Sequence, residues 1–416
     1  MISSVRQGKF FYGWVIVAVL SLTGTMIWGM RFSFGVFFKS LETEFGLNRT
    51  ATSAIFSVYV ILSALFATAT GWAVDRFTPK RIIFLMGLLT GLSLTLTSFT
   101  GELWQVFVTY SVLLAMGTGM VYVLITSIMS RWFHRKLGLA MGIAGSGSGL
   151  GMLLIPPLAT WLIAEYDWRT AYLTMGILTW AITLSILGFV KQDPSEVGSL
   201  PDGMPREEPG NPGPPEGRRA PYLPGLSLEQ VLRSRSFWFL ALHEIFCAYS
   251  QFFVLTHLVP HATDVGISAG EAALLLGLIG GAGIPGRIVM GIASDRLGRK
   301  GTVLFCSLIM ALALLSLTQS AAPFAFYAFA VAYGFAFGGR TSGMPALVLD
   351  TFGRRPFGKT IGLLEASWGV GAAVGPALGG LIFDMTGGYG TAFLIATVTM
   401  FISSSMVLPL SGRAGR

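Results

Sequence analysis

The sequence predicts an all-α, polytopic membrane protein with twelve transmembrane helices in two pseudo-symmetric halves of six. The chain has 416 residues, of which only 12% are charged, about half the charged fraction of an ordinary soluble domain. Its mean hydropathy is +0.68, and apolar stretches of about 20 residues, long enough to cross a bilayer, recur along nearly the whole chain. This composition excludes a soluble enzyme. The net charge of +8 reflects membrane topology and does not predict nucleic-acid binding.

Twelve apolar segments are separated by charged breaks. Their predicted limits are 12–37, 51–73, 82–99, 104–127, 138–163, 170–190, 236–259, 272–293, 302–319, 323–347, 360–383 and 390–411. The first segment has no small-residue cleavage site after it, so we interpret it as a retained helix and not as a signal peptide.

The stretch between the sixth and seventh segments cannot form a packed core. Residues 192–225 hold nine of the 19 prolines, together with Gly, Arg and Glu, which predicts a solvated linker. The predicted domains are therefore an N-terminal six-helix half at 1–191, a cytoplasmic linker at 192–235 that could include a surface helix, and a C-terminal six-helix half at 236–416.

The basic residues predict the orientation of the chain. Most of the 28 lysines and arginines fall on one side of the membrane when the N-terminus is placed in the cytoplasm. Because basic loops stay on the cytoplasmic side, both termini are predicted to be cytoplasmic. We expect a multi-pass protein of a bacterial inner membrane, although the same pattern fits a plasma membrane.

A motif of glycine and charged residues occurs in corresponding loops of the two halves. Gly71-Trp-Ala-Val-Asp-Arg follows predicted helix 2, and Gly291-Ile-Ala-Ser-Asp-Arg follows predicted helix 8. Such internal repeats are typical of secondary transporters, whose substrate site lies near the midplane between the halves. Charged contacts at these loops can hold one conformation and break in another. The candidates for this conformational gate are Asp75, Arg76, Asp295 and Arg296.

The two motif copies resemble the signature of the major facilitator superfamily. A narrower resemblance rests on Tyr12-Gly-Trp in predicted helix 1, on Arg131-Trp-Phe-His-Arg-Lys with the glycine-rich run that follows it, and on Leu232-Arg-Ser-Arg-Ser-Phe-Trp before predicted helix 7. Together these segments are similar to the monocarboxylate transporter family and to the related oxalate/formate antiporters. The resemblance implies the major facilitator fold and transport by alternating access.

Three arginines lie within the predicted spans, where a charged side chain is costly and therefore indicates a function. Arg287 has no acidic residue one turn away on its own helix, so its guanidinium can bind a carboxylate. The resemblance implies the same role, because both families carry an arginine in helix 8 for the substrate anion. Arg340 is predicted to form an ion pair with Glu365 or Glu244. Arg31, placed in the outer third of helix 1, is predicted to reach the interface.

The proton-binding residue known from animal monocarboxylate transporters is missing here. Those proteins carry an aspartate one turn before the helix 8 arginine, where this chain has Gly283, and a lysine in helix 1 near the position of Phe32. Asp264, near the outer end of helix 7, and His257, further inside that helix, are the candidates for proton coupling, because either can change its charge with the substrate.

The aromatic residues indicate the class of substrate. The oxalate/formate antiporters carry a lysine in helix 11, and Trp368 stands at the corresponding position of this chain. One cation beside an aromatic wall suits a small monocarboxylate with an apolar tail better than a dicarboxylate. Tyr122, Tyr333 and Phe337 are predicted to complete this wall, and each of them could instead serve packing.

The sequence contains no phosphate-binding loop of the Walker type, and its four histidines show no metal-ligand spacing. We therefore predict neither an enzyme nor a cofactor or metal site. The predicted function is secondary active transport, by a monomer, of a small monocarboxylate, L-lactate or pyruvate, together with a proton. The alternative is a carboxylate exchanger of the oxalate/formate antiporter type. The two cysteines, Cys247 and Cys306, are interpreted as buried, inert thiols.

Overall fold

The computed structural model describes residues 11–133, 137–203, 226–319, 322–353 and 357–410, without the side chains of residues 68–75, 130, 137–138, 203, 295, 297, 319 and 357. All regular secondary structure within these ranges is helical, and the ranges contain no strand. An apolar segment in a bilayer must satisfy its backbone hydrogen bonds internally, and a helix does so.

Twelve long helices form the described bundle. In the first half these are α1 (Gly13–Phe32 and Phe34–Glu44), α2 (Arg49–Arg76), α3 (Pro79–Ser98), α4 (Leu103–Val106, Phe107–Leu114, Ala115–Thr118 and Val121–Trp132), α5 (Leu137–Glu165) and α6 (Trp168–Ile186). In the second half they are α7 (Arg235–Asp264), α8 (Ala269–Leu297), α9 (Arg299–Gln319), α10 (Pro323–Phe352), α11 (Phe357–Thr386) and α12 (Gly390–Val407).

Eleven helices of the described chain have the length and apolar composition of a membrane span. The remaining long helix is α10, which carries Arg340 in its middle. The fold is therefore the predicted all-α, polytopic arrangement. Both cysteines are buried and unpaired, as predicted.

Helix α1 is longer than predicted and is interrupted once. It continues to Glu44, beyond the predicted limit at residue 37. At the interruption the Ser33 hydroxyl donates to the carbonyl oxygen of Gly29 at 2.7 Å. The segment before Ser33 packs on α5 and the segment after it packs on α7. The contact with α7 is close, because a Cβ at Gly35 would lie 2.7 Å from the carbonyl oxygen of Leu255.

Besides the contact of α1 with α7, the two halves meet along two helix pairs, α5 with α8 and α2 with α11. A Cβ at Gly149 of α5 would lie 2.8 Å from the carbonyl oxygen of Gly280 of α8. Only a residue without a side chain allows backbones to approach this closely, as is common where membrane helices cross. The glycine-rich run of α5 therefore brings the halves together near the middle of the bundle.

The two ends of the bundle carry different segments of the chain. One end, which we call the terminal end, carries residues 11 and 410, and Tyr12 there donates a hydrogen bond to the backbone of Phe189. The opposite end, which we call the distal end, carries the α1–α2, α7–α8 and α11–α12 connections. A short helix, Leu228–Arg233, begins with a capping box of Ser227 and Gln230 within the predicted linker. The predicted domain limits stay a prediction.

Candidate substrate site

Arg287 lies where the two halves meet. It belongs to α8, and its guanidinium reaches α5, where Nη1 donates to the carbonyl oxygen of Gly145 and Nη2 donates to Ser148 Oγ at 2.8 Å. Its Nε is buried without a hydrogen-bond partner. Across the described ranges no carboxylate forms an ion pair with Arg287. Its positive charge is therefore available to an anion.

The pocket beside Arg287 is mostly apolar. It is lined by residues of both halves, among them Phe32, Ser148, Met152, Ile279 and Phe337. Of the aromatic residues predicted for the substrate wall, Phe337 therefore lies beside the predicted cation. An apolar pocket with one positive group can hold a small anion by its charged end while it covers the rest of the molecule.

The other three predicted aromatic residues lie elsewhere. Tyr333 is 1% exposed, its ring packs on Phe329 at a centroid distance of 5.1 Å, and its hydroxyl is buried without a partner. Tyr122 is exposed on α4. Trp368 lies next to Arg31 of α1. None of the three is among the residues that line the Arg287 pocket.

Arg31 is a second cation in the interior, and its role was not predicted. Its guanidinium carbon lies 5.7 Å from the ring centroid of Tyr59, 5.2 Å from that of Phe252 and 5.5 Å from that of Trp368, distances typical of cation–π contacts. Because α1 continues to Glu44, Arg31 lies near the middle of the helix and not in its outer third. The prediction that Arg31 reaches the interface is therefore wrong. The apolar run that continues after Ser33 was the signal that could have placed it.

Arg340 forms a buried ion pair. Its Nη1 lies 2.9 Å from Glu244 Oε1, and both side chains are less than a tenth exposed. The same Nη1 lies 3.4 Å from His243 Nε2. The prediction of an internal ion pair is confirmed, with Glu244 of α7 as the partner and not Glu365 of α11. Glu365 of α11 forms no ion pair within the described ranges.

A network of charges joins the two halves at the distal end, and we call it the distal closure. Lys39 Nζ lies 2.5 Å from Asp264 Oδ1, Arg49 Nη2 lies 3.2 Å from Asp264 Oδ2, and Arg49 Nε lies 2.9 Å from Glu42 Oε1. The backbone N–H of Arg49 also donates to Asp384 Oδ1 at 3.1 Å. Lys39, Glu42 and Arg49 belong to the first half, whereas Asp264 and Asp384 belong to the second.

His257 belongs to the same network. Its Nε2 lies 2.9 Å from the carbonyl oxygen of Pro376 and its Nδ1 lies 3.0 Å from the hydroxyl of Tyr389. A carbonyl oxygen can only accept, so Nε2 carries the hydrogen and Nδ1 accepts from Tyr389. The Tyr389 oxygen in turn accepts from Arg49 Nη1 at 3.2 Å. The two residues predicted for proton coupling, His257 and Asp264, are therefore connected through Arg49.

The predicted conformational gate lies at the terminal end. Arg76 is the last residue of α2, and Arg296 lies in the last turn of α8. Both side chains are exposed. The side chains of Asp75 and Asp295 lie outside the described residues, so the contacts of the gate stay a prediction.

Comparisons with known proteins agree on the family. The sequence profile of the Major Facilitator Superfamily matches residues 20–317 and 245–414. Monocarboxylate transporter 12 of Rattus norvegicus is 27% identical over 420 residues, which cover 95% of this chain and 85% of that protein. The oxalate:formate antiporter of Oxalobacter formigenes is 25% identical over 413 residues, which cover 97% of this chain and 93% of that protein.

Solved structures show the same fold. A bacterial homologue of the human lysosomal transporter Spinster, in an inward-facing and unoccupied conformation, matches with a TM-score of 0.75 at 15% identity, covering 96% of this chain and 97% of that one. A D-xylose–proton symporter matches with a TM-score of 0.74 at 15% identity, covering 97% of this chain and 98% of that one. The relatives are transporters and not enzymes. This chain therefore belongs to the major facilitator superfamily, as a transporter related to the monocarboxylate transporters and to the oxalate:formate antiporter.

Proposed function

We propose that the protein carries a small monocarboxylate, L-lactate or pyruvate, together with a proton, and that Arg287 binds the carboxylate. The observation that carries this proposal is the guanidinium of Arg287, which lies between the halves with no acidic partner among the described residues. A planar guanidinium suits a carboxylate because it can donate two parallel hydrogen bonds.

The position of Arg287 also suggests how binding is coupled to conformation. Its present acceptors, the carbonyl oxygen of Gly145 and the hydroxyl of Ser148, belong to the opposite half. A bound carboxylate would compete for the same donors and so alter a contact between the halves, as alternating access around a central site requires. Phe337 would cover the apolar end of the substrate. Tyr122, Tyr333 and Trp368 stay proposed members of the aromatic wall.

The remaining predicted parts belong to the same proposal. Asp264 and His257 are the two candidates from the sequence for the coupled proton, and their connection to the distal closure supports a role in opening that end. The gate of Asp75, Arg76, Asp295 and Arg296 would close the terminal end. The halves at 1–191 and 236–416 would move as units about the linker at 192–235. The carrier would act as a monomer in a bacterial inner membrane with cytoplasmic termini, so the distal end would face outward.

Uptake of labelled L-lactate into proteoliposomes tests the proposal. Wild-type uptake should rise when the lumen is alkaline relative to the bath, and an uptake rate that ignores the proton gradient would contradict symport. Arg287→Ala should reduce uptake at least 100-fold, because a charge-assisted, bidentate contact is worth about 3 kcal/mol or more. Arg287→Lys keeps the charge without the planar fork and should fall between the two. Normal uptake by folded Arg287→Ala would contradict carboxylate binding by this residue.

One observation favours the alternative, an exchanger of carboxylate anions. Arg31 is a second interior cation whose contacts are aromatic rings, and Phe32, the next residue, lines the Arg287 pocket. A site with two cations suits a dicarboxylate better than a site with one cation does. Counterflow of labelled lactate against unlabelled lactate, pyruvate, oxalate and formate distinguishes the two. Preferential exchange with oxalate, independent of the proton gradient, would favour the exchanger.

A further inference from the structure

Glu365 is an acidic residue within a membrane-spanning helix, and the proposed function gives it no role. It lies on the third turn of α11, and its side chain is exposed although the helix spans the membrane. Trp368, one turn further along α11, has its ring centroid 5.5 Å from the guanidinium carbon of Arg31 in the first half, and a Cβ at Gly369 would lie 3.4 Å from the side chain of Ala64 in α2. Residues three and four positions apart share one face of a helix, so Glu365 lies on the face of α11 that is directed towards the first half and not towards the lipid.

The neighbouring charges do not neutralise Glu365. Arg340 is engaged by Glu244 at 2.9 Å, and Arg31 lies against three aromatic rings. Within the described ranges Glu365 forms no ion pair of its own. A carboxylate on this face of α11 therefore carries a charge that no ion pair compensates, and such a charge at membrane depth is costly. Binding of a proton removes that charge.

We infer that Glu365 is the residue within the central space that takes up and releases the coupled proton; this inference rests on the proposed symport. In each cycle the Glu365 carboxylate takes one proton from a hydronium ion on one side, which becomes water, and forms the O–H bond of a neutral carboxylic acid. On the other side this O–H bond breaks and the proton passes to a water molecule, which restores the carboxylate. Asp264 and His257, which belong to the distal closure, are the competing sites.

The same geometry explains why the proton and the anion bind together. A carboxylate at position 365 weakens the positive potential that Arg31 and Arg340 produce in the central space, and a neutral acid does not. Protonation of Glu365 therefore raises the affinity for an anionic substrate at Arg287. By linkage, a bound anion raises the affinity of Glu365 for the proton by the same factor. Glu244 is held by Arg340 with His243 beside it, so it is less free to exchange a proton.

Proteoliposome transport with matched variants tests this assignment. The measured quantity is the ratio of L-lactate uptake with an inward proton gradient to uptake without one. Glu365→Gln mimics the neutral acid and should reduce this ratio at least 10-fold, to near one, while the variant still exchanges labelled for unlabelled lactate. Asp264→Asn and His257→Gln should keep a ratio well above one. Glu102→Gln, in an exposed loop, is the control for loss of a carboxylate.

The outcomes separate the inference from the proposed function. If wild-type uptake does not respond to the gradient, the symport proposal fails and the inference fails with it. If wild type responds and Glu365→Gln responds equally, the inference alone is overturned, and a loss of response in Asp264→Asn or His257→Gln would move the proton to that residue. Should Glu365→Gln not fold, Glu365→Asp shifts the carboxyl group by one methylene and should move the pH midpoint of uptake. An unchanged midpoint would overturn the inference.

Discussion

Replacing Arg49 with methionine should open the distal end of the bundle. Arg49 is the residue of the distal closure with contacts to both halves. Its guanidinium binds Asp264 at 3.2 Å and Tyr389 at 3.2 Å in the second half, and Glu42 at 2.9 Å in the first. Methionine keeps much of the side-chain volume but removes every one of these polar contacts.

The size of the effect depends on the contacts that cross between the halves. Hydrogen bonds to charged groups contribute about 1.5–3 kcal/mol each. Asp264 keeps its pair with Lys39 and is about a quarter exposed, so the lower part of the range applies. The backbone contact of Arg49 with Asp384 also survives. We expect the closed arrangement to lose about 2 kcal/mol, which raises the ratio of open to closed molecules about 30-fold.

Distances between spin labels across the distal end measure this ratio. Glu102 and Met385 are exposed at the distal ends of opposite halves, and cysteines introduced there can be labelled in a background without the two native cysteines. Arg49→Met should increase the population with the longer distance. The matched control is Arg169→Met, because Arg169 pairs with Glu44 at 2.7 Å within one half. An unchanged distance distribution in Arg49→Met, or an equal change in Arg169→Met, would refute the reasoning.

Three further substitutions test the packing and the charges. Arg340→Met should lower the free energy of unfolding by about 3–5 kcal/mol, because Glu244 would be buried without its partner. Thermal unfolding in detergent measures this loss, which should be smaller in the double variant with Glu244→Met. Gly149→Val should lower the melting temperature, because the new Cβ would lie 2.8 Å from the carbonyl oxygen of Gly280 and overpacking costs about 1–3 kcal/mol. A melting temperature equal to that of the wild type would contradict the close contact. Asp167→Ala should destabilise α6 by about 1 kcal/mol through loss of its N-cap hydrogen bond, and Asp167→Asn should be nearly neutral in the same measurement.

The pH dependence of that cap has a definite sign. The backbone N–H of Thr170 donates to Asp167 and holds the pKa of this carboxyl below its usual range. A lowered pKa means that the stabilisation is present above the pKa of the unfolded chain and is lost as the pH falls through the folded value. The stability difference between wild type and Asp167→Ala should therefore shrink in acid. A difference that grows in acid would contradict the assignment.

The helices could be predicted from the sequence because a bilayer leaves an apolar segment few alternatives. A span must be long and apolar and must satisfy its own backbone, and these properties are local. The end of α1 could not be found in this way. Lys39 and Glu42 look like loop residues, yet they lie on the helix and form part of the distal closure. Their partners, Asp264 and Arg49, lie on other helices, and contacts of this kind depend on packing and not on spacing.

The candidate site was predictable to the extent that it rests on rare residue types. A charge within an apolar segment is visible in the sequence, so Arg287 and the Arg340 ion pair could be found. The surroundings of Arg31 could not, because its three aromatic neighbours belong to three helices from both halves. For the same reason the aromatic residues could not be sorted. Phe337 lies beside Arg287 whereas Tyr333 lies in the hydrophobic core, although the two occupy one face of α10.

The charges in the middle of the bundle determine whether a membrane potential can drive transport by this protein. Among the described residues of the membrane interior, Arg31, Arg287 and Arg340 are positive, and Glu244 and Glu365 are negative when they are ionised. A voltage acts only on charge that is moved across the membrane. In the proposed cycle Glu365 gains a proton and Arg287 gains a monocarboxylate, so the two added charges cancel and the loaded centre carries the same charge as the empty one. If the proposed coupling holds, each cycle moves no net charge, so a potential imposed with potassium and valinomycin neither drives nor opposes net uptake.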